Sequence, residues 1–155
     1  MKYEILYISK LNVCYFETKI TTSHQNNSSI ISDHWKKFNI LLRINKIKFD
    51  SEWEKFGITM KINNQYFYQC SFQSERCIPP FNQTSIPAGN FAKFNHTGPL
   101  SLLSKTMNQI YKQIIPISPL DIDLNRSLIH YERYDSKFNW NNQNSVIEIY
   151  VPLKD

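Results

Sequence analysis

One order of local signals is met twice along this chain, and it limits the fold more than any single motif. An interrupted strand, a helix and a hairpin follow one another in residues 1–76 and again in residues 77–155. In the first half, residues 3–9 and 12–21 are rich in β-branched and aromatic side chains and predict one strand broken near Lys10. After the polar loop 22–28, Ser28 or Ser29 suits an N-cap. Ile31, Trp35 and Phe38 then recur at near-helical spacing, with Asp33 early and Lys36-Lys37 late, and the helix should end within residues 39–45. Residues 55–61 and 65–72 predict a hairpin around Asn63-Asn64, a pair that tolerates positive φ. Residues 73–80 are a linker.

The second half repeats the order. Residues 84–86 and 90–95 form a strand broken at Pro87-Ala88-Gly89, and Gly98-Pro99 opens a helix. Leu100, Leu103, Met107, Ile110 and Ile114 give that helix an apolar face, and Pro116 and Pro119 stop it. Residues 127–134 and 145–153 close the chain as a hairpin around the polar loop 135–144. Ile8, Asn12, Val13, Cys14 and Phe16 fall on Ile86, Asn90, Phe91, Ala92 and Phe94 at a constant offset of 78. The expectation is an α+β fold: one domain over residues 1–155, made of two β-α-β-β units in pseudo-twofold arrangement. Its antiparallel sheet would carry two helices on one side, with a ligand cleft between the units.

Composition narrows the function. Hydrophobic residues are 41% and aromatics 14% of the chain, enough for a core and for an aromatic pocket lining. Three glycines in 155 residues leave no glycine-rich phosphate loop. The N-terminal residues lack the apolar stretch of a signal peptide and no run is long enough to span a bilayer, so a cytoplasmic protein without membrane contact is expected. Cys14, Cys70 and Cys77, odd in number and widely spaced, are expected to be free thiols. The net charge of +5 is scattered rather than striped, and no helix-turn-helix, zinc-finger or RNP signature occurs, so no nucleic-acid contact is expected. His24, His34, His96 and His130 show no ligand spacing, and Cys70 and Cys77 are too far apart for a zinc knuckle, so neither metal nor cofactor is expected.

Three segments carry a family resemblance. Ile86-Pro87-Ala88-Gly89-Asn90-Phe91-Ala92-Lys93-Phe94-Asn95-His96-Thr97-Gly98-Pro99 resembles the signature of the GyrI-like effector-binding family. Tyr131-Glu132-Arg133-Tyr134-Asp135 and Ile147-Glu148-Ile149-Tyr150-Val151-Pro152-Leu153 are similar to its C-terminal motifs, in the same order. That family includes the effector-binding halves of AraC-type and MerR-type multidrug regulators. The resemblance implies the paired β-α-β-β (SHS2-like) fold. It also implies an aromatic cleft with one acidic residue at its base, suited to lipophilic cations. Matched by position, the acidic residue is Glu132; Phe91 and Tyr134 match groove-lining positions, and Tyr150 the aromatic of the last strand. Lys93 stands at a usually apolar position, which should open the sheet surface there.

Strand parity puts His130, Glu132 and Tyr134 on one face. A carboxylate among aromatics loses hydration, so its pKa should rise unless a cation pairs with it. Trp35 on the first helix, and Tyr15 and Tyr68 on strands of the first half, complete the expected lining; Trp53 is either a lid or a packed loop. The function this implies is binding of a lipophilic, cationic small molecule, by sequestration or by sensing with a regulatory protein partner. Two alternatives stand beside it. One is hydrolysis of reactive small-molecule toxins, with Glu132 activating water beside Tyr134 or His130; the other is a protein-interaction role of gyrase-inhibitor type.

Overall fold

The computed structural model describes residues 1–139 and 141–155. The first half holds β1 (Tyr3–Ile8), β2 (Leu11–Ile20), α1 (His24–Ile44), β3 (Glu54–Ile62) and β4 (Gln65–Gln73). The second holds β5 (Asn82–Ile86), β6 (Gly89–Thr97), a helical segment around α2 (Leu103–Gln109), β7 (Leu128–Asp135) and β8 (Val146–Pro152). The fold is α+β. All paired strands are antiparallel and form one sheet in the order β1-β6-β8-β7-β3-β4-β2-β5.

Its shape follows from the two broken strands. They lie against each other across their breaks, Ile8 opposite Gly89 and Leu11 opposite Ile86. This joins the outer strands at both ends of the sheet order and curls the sheet. Both faces are therefore buried. On one, Phe38 and Leu42 of α1 and Met107 of α2 share a buried cluster with Phe94 and Ile149 of the sheet. On the other, Val13, Phe56, Ile58, Ile86, Phe91 and Tyr131 form a second cluster, shielded by the sheet's own curl.

Local chemistry sets the element ends. Asn63 (φ 53°) and Asn64 (φ 63°) make the tight turn between β3 and β4 in the left-handed conformation Asn tolerates. The first helix starts earlier than its apolar spacing predicts. Ser23, not Ser28 or Ser29, is the cap, its hydroxyl accepting the Asn26 N–H at 3.2 Å. Asn27 is buried, and its side-chain amide pairs with both backbone groups of Thr21 at 2.8 and 2.9 Å. A run that looks like polar loop is thus held as helix by side-chain hydrogen bonds. The second helix is irregular: a 3-10 turn (Leu100–Leu102), α2, a π turn (Ile110–Ile114) and another 3-10 turn (Ile115–Ile117) that contains Pro116.

The cysteine expectation is corrected. Cys14 and Cys77 form a disulfide with their Cα atoms 5.6 Å apart, and among the described residues only the buried Cys70 is free. Their separation of 63 residues in sequence hid the proximity, which arises because β2 pairs with both β4 and β5. The linker between those strands must therefore pass beside Cys14. Lys93 opens nothing: it is ion-paired with Glu148 at 3.3 Å and with Glu4 at 3.8 Å. No helix among the described residues is long and apolar enough to cross a membrane.

Candidate functional site

Between α1, the second helical segment and the sheet lies a cleft of about 410 Å³, within the usual range for small-molecule sites. α1 contributes His24, Asn27 and Ile31 to its walls, and the helix opposite contributes Leu103, Met107 and Tyr111. Thr59 and Lys61 of β3 and His130 and Glu132 of β7 form its sheet side. The helix stripe read from the sequence supplies Leu103 and Met107, and Tyr111 follows Met107 by one helical turn on the same face.

Glu132 lies at the base, 2% exposed. Its Oε1 accepts hydrogen bonds from the Tyr68 hydroxyl at 2.7 Å and the Tyr134 hydroxyl at 2.8 Å. Tyr68 in turn accepts one from the Trp35 indole N–H at 2.9 Å. Glycine at position 57 permits this network. Gly57 is paired with Glu132 across β3 and β7, and a Cβ there would collide with the Tyr68 hydroxyl and lie 2.8 Å from Glu132 Oε1. The other carboxylate oxygen, Oε2, is 3.8 Å from His130 Nε2. His130 Nδ1 is 2.6 Å from the Tyr111 hydroxyl, whose ring stacks on His24 with centroids 5.9 Å apart.

These surroundings decide the charges. Burial pushes the Glu132 pKa up to about 7, and the hydrogen bonds from Tyr68 and Tyr134 oppose the rise. Burial, followed by the nearby His24, lowers the His130 pKa to about 3, so its ring is neutral at neutral pH. Burial and then the Glu132 charge raise the Tyr111 pKa, keeping that phenol protonated. A neutral His130 whose Nδ1 accepts a hydrogen bond from the Tyr111 hydroxyl carries its N–H on Nε2, turned toward Glu132. Among the described residues no Lys or Arg pairs with Glu132. An acid at the base of an apolar cleft therefore has one oxygen anchored by two phenols and the other without a cation.

The seven expected lining residues do not share this cleft. Glu132 lines it, and Tyr68, Tyr134 and Trp35 stand behind Glu132 as its hydrogen-bond support. Trp35 and Tyr134 also border a smaller cavity of about 110 Å³ with Asn39, Lys55 and Trp53. Trp53 is packed under the Lys55 ammonium, 4.6 Å from its ring centre, so it is not a lid over the cleft. Phe91, Tyr150 and Tyr15 point to the other face of the sheet. Phe91 and Tyr150 lie in the second apolar cluster with Tyr131, and Tyr15 follows Val13 in strand parity. Of the seven, Phe91, Tyr150 and Tyr15 thus lie off this cleft. Positions two apart share a face within one strand, but alignment between strands does not say which face is the cleft's. His24, Tyr111, Tyr66 and Gly57 carried no chemical motif and were missed.

No protein of curated function matches the sequence. Among solved structures, SAV2435 bound to tetraphenylphosphonium has a TM-score of 0.79 at 12% identity, over 99% of this chain and 94% of that one. The EcmrR–DNA complex aligns with a TM-score of 0.69 at 14% identity; it covers 99% of this chain, which spans 57% of that one. A hydrolase from Listeria innocua aligns with a TM-score of 0.54 at 11% identity, over 99% of this chain and 92% of that one. At these identities the likenesses speak for the fold. The family model of the GyrI-like small molecule binding domain matches residues 1–154. The chain belongs to the GyrI-like small molecule binding domain family.

Proposed function

We propose that the cleft binds a lipophilic organic cation and that Glu132 is its counter-ion. The observation that carries this is a carboxyl group, buried at the base of an apolar cleft, with no Lys or Arg in ion-pair contact among the described residues; Lys61, in the same cleft lining, instead has its ammonium over the Tyr66 ring, 5.6 Å from its centre. A cation entering the cleft relieves the cost of a buried charge. It also meets the rings of Tyr111 and His24, and contacts with aromatic faces contribute about 0.5–2 kcal/mol each. A micromolar complex needs about 8 kcal/mol in all, most of it from apolar burial. Tetraphenylphosphonium, held by the structurally similar SAV2435, is a suitable probe.

The test is calorimetry with tetraphenylphosphonium and the uncharged triphenylphosphine oxide. Glu132→Gln keeps the shape and removes the charge. It should weaken the cation about tenfold or more and change the neutral ligand little. Equal losses would make Glu132 structural, and unchanged cation affinity would put the site elsewhere.

A sensing role requires a regulatory protein to receive the signal; the structurally similar EcmrR is itself found in complex with DNA. We place this role in the cytoplasm. The Cys14–Cys77 bond argues against a reducing compartment, so alkylation in intact cells decides: three trapped thiols support the placement, one opposes it.

Hydrolysis is the second reading, favoured by the His130–Glu132 approach of 3.8 Å and an acid with a pKa near 7, suited to a general base. Turnover of a strained electrophile beyond one equivalent would favour it over sequestration.

A further inference from the structure

The face of the sheet turned away from the cleft carries a second hollow, of about 270 Å³. It shares no lining residue with the cleft. Ile58 and Met60 of β3, Ile86 of β5 and Leu128 of β7 give it apolar walls. Pro87 borders it too, so the turn that carries the most distinctive sequence motif belongs to this hollow and not to the cleft.

Two buried polar atoms in its lining have no hydrogen-bond partner among the described residues, Gln69 Oε1 and Arg126 Nη1. Gln69 is 5% exposed. Its orientation is settled by Glu17, whose Oε1 accepts from Gln69 Nε2 at 3.0 Å. The flipped amide would set two oxygens against each other, so Oε1 is the atom left without a partner. Arg126 is held from the other end: its Nε donates to Asp123 Oδ2 at 2.7 Å, and its Nη atoms lie 3.5 and 3.6 Å from where a Cβ on Gly89 would sit. An unmet buried donor and an unmet buried acceptor each carry the full desolvation cost of the group with no bond to offset it. Native proteins rarely leave such atoms without a role.

We infer that this hollow is a second binding site, for a small organic acid that carries a hydroxyl or N–H donor near its carboxylate. The carboxylate would take the free Arg126 Nη1–H, and the neighbouring donor would meet Gln69 Oε1. The hydrocarbon body would lie against Ile58, Met60, Ile86 and Leu128. The volume suits a body of about nine water-sized groups, so the class is a branched hydroxy acid or acylamino acid rather than a nucleotide. This is the opposite chemistry to that proposed for the cleft, and neither site depends on the other.

The probe is 2-hydroxyisocaproate, with isocaproate as the acid lacking the hydroxyl and 4-methylpentanol as the compound lacking the charge. Binding to the full chain is followed by NMR, at the Gln69 side-chain amide and the Arg126 Nε–H, after folding of each variant is checked from its spectrum. The hydroxy acid should bind about tenfold more tightly than isocaproate, and the alcohol should not shift either signal. Arg126→Met should weaken the hydroxy acid about tenfold or more while leaving tetraphenylphosphonium binding unchanged. Gln69→Met should leave isocaproate binding in place and remove the preference for the hydroxy acid. If neither acid shifts the two signals, or Arg126→Met binds them as wild type does, the polar atoms are met by water and the proposal fails. If Arg126→Met lost both the acids and tetraphenylphosphonium, the hollow would not be a separate site.

Discussion

A buried carboxyl without a cation becomes charged only at a cost, and the cost is visible in stability. The folded-state pKa of Glu132 is about 7 against an ordinary 4.5. The folded protein therefore holds a proton that the unfolded chain releases between these values. Stability contributed by that proton is complete below about pH 4.5 and is lost as pH rises through about 7. The loss is on the order of 3 kcal/mol. Glu132→Gln should remove that pH dependence and raise the melting temperature at pH 8; denaturation of both proteins from pH 4.5 to 8 checks it. Binding reverses the sign. A cation needs the ionised acid, so affinity for tetraphenylphosphonium should climb as pH rises through about 7, with a proton released on binding below it. Gly57 is the other decisive residue, because Gly57→Ala drives a methyl into the Tyr68–Glu132 contact. Loss of cation binding together with a marked drop in melting temperature is expected; wild-type values for both would show that Tyr68 can move aside without consequence.

At the scale of elements, the helices and the disulfide hold the cleft walls. Ser23 caps α1, and His24 and Asn27, which line the cleft, sit in its first turn. Ser23→Ala should cost about 1 kcal/mol of stability and weaken ligand binding, since fraying starts at the cleft. The Cys14–Cys77 bond closes a span of 63 residues that contains α1, β3 and β4. By chain entropy such a link contributes about 4 kcal/mol. Thiol titration of the oxidised, denatured protein should find one thiol, that of Cys70, and three after reduction. Three without reductant would show the bond to be absent in solution.

For the whole molecule, the charge of +5 opposes a cationic ligand. That field acts across water and is screened beyond about 8–10 Å at physiological salt. Glu132 acts at contact distance in a buried setting, where its attraction is stronger than in water. The local attraction should win. Added salt should then strengthen tetraphenylphosphonium binding slightly, by relieving the long-range repulsion, rather than weaken it. A steep fall with salt in calorimetry would instead assign recognition to exposed acids.

Local signals along the chain predict the order of elements, the tight turn at Asn63-Asn64, and the face shared by His130, Glu132 and Tyr134. Each depends on contacts between residues near in sequence: strand alternation, helix spacing, and the left-handed conformation Asn tolerates. The family signature also points to Glu132, a residue that lines the cleft. Which aromatics face it depends on contacts between distant strands. Phe91, Tyr150 and Tyr15 fall on the far face because the register sets Tyr150 opposite Tyr131, Phe91 in phase with it, and Tyr15 in phase with Phe56 and Arg133. The same long-range pairing brought Cys77 to Cys14 and set Gln69 and Arg126 around one hollow. Pairings between distant strands leave no local periodicity to read, since each strand's pattern is satisfied by any partner that covers its apolar face.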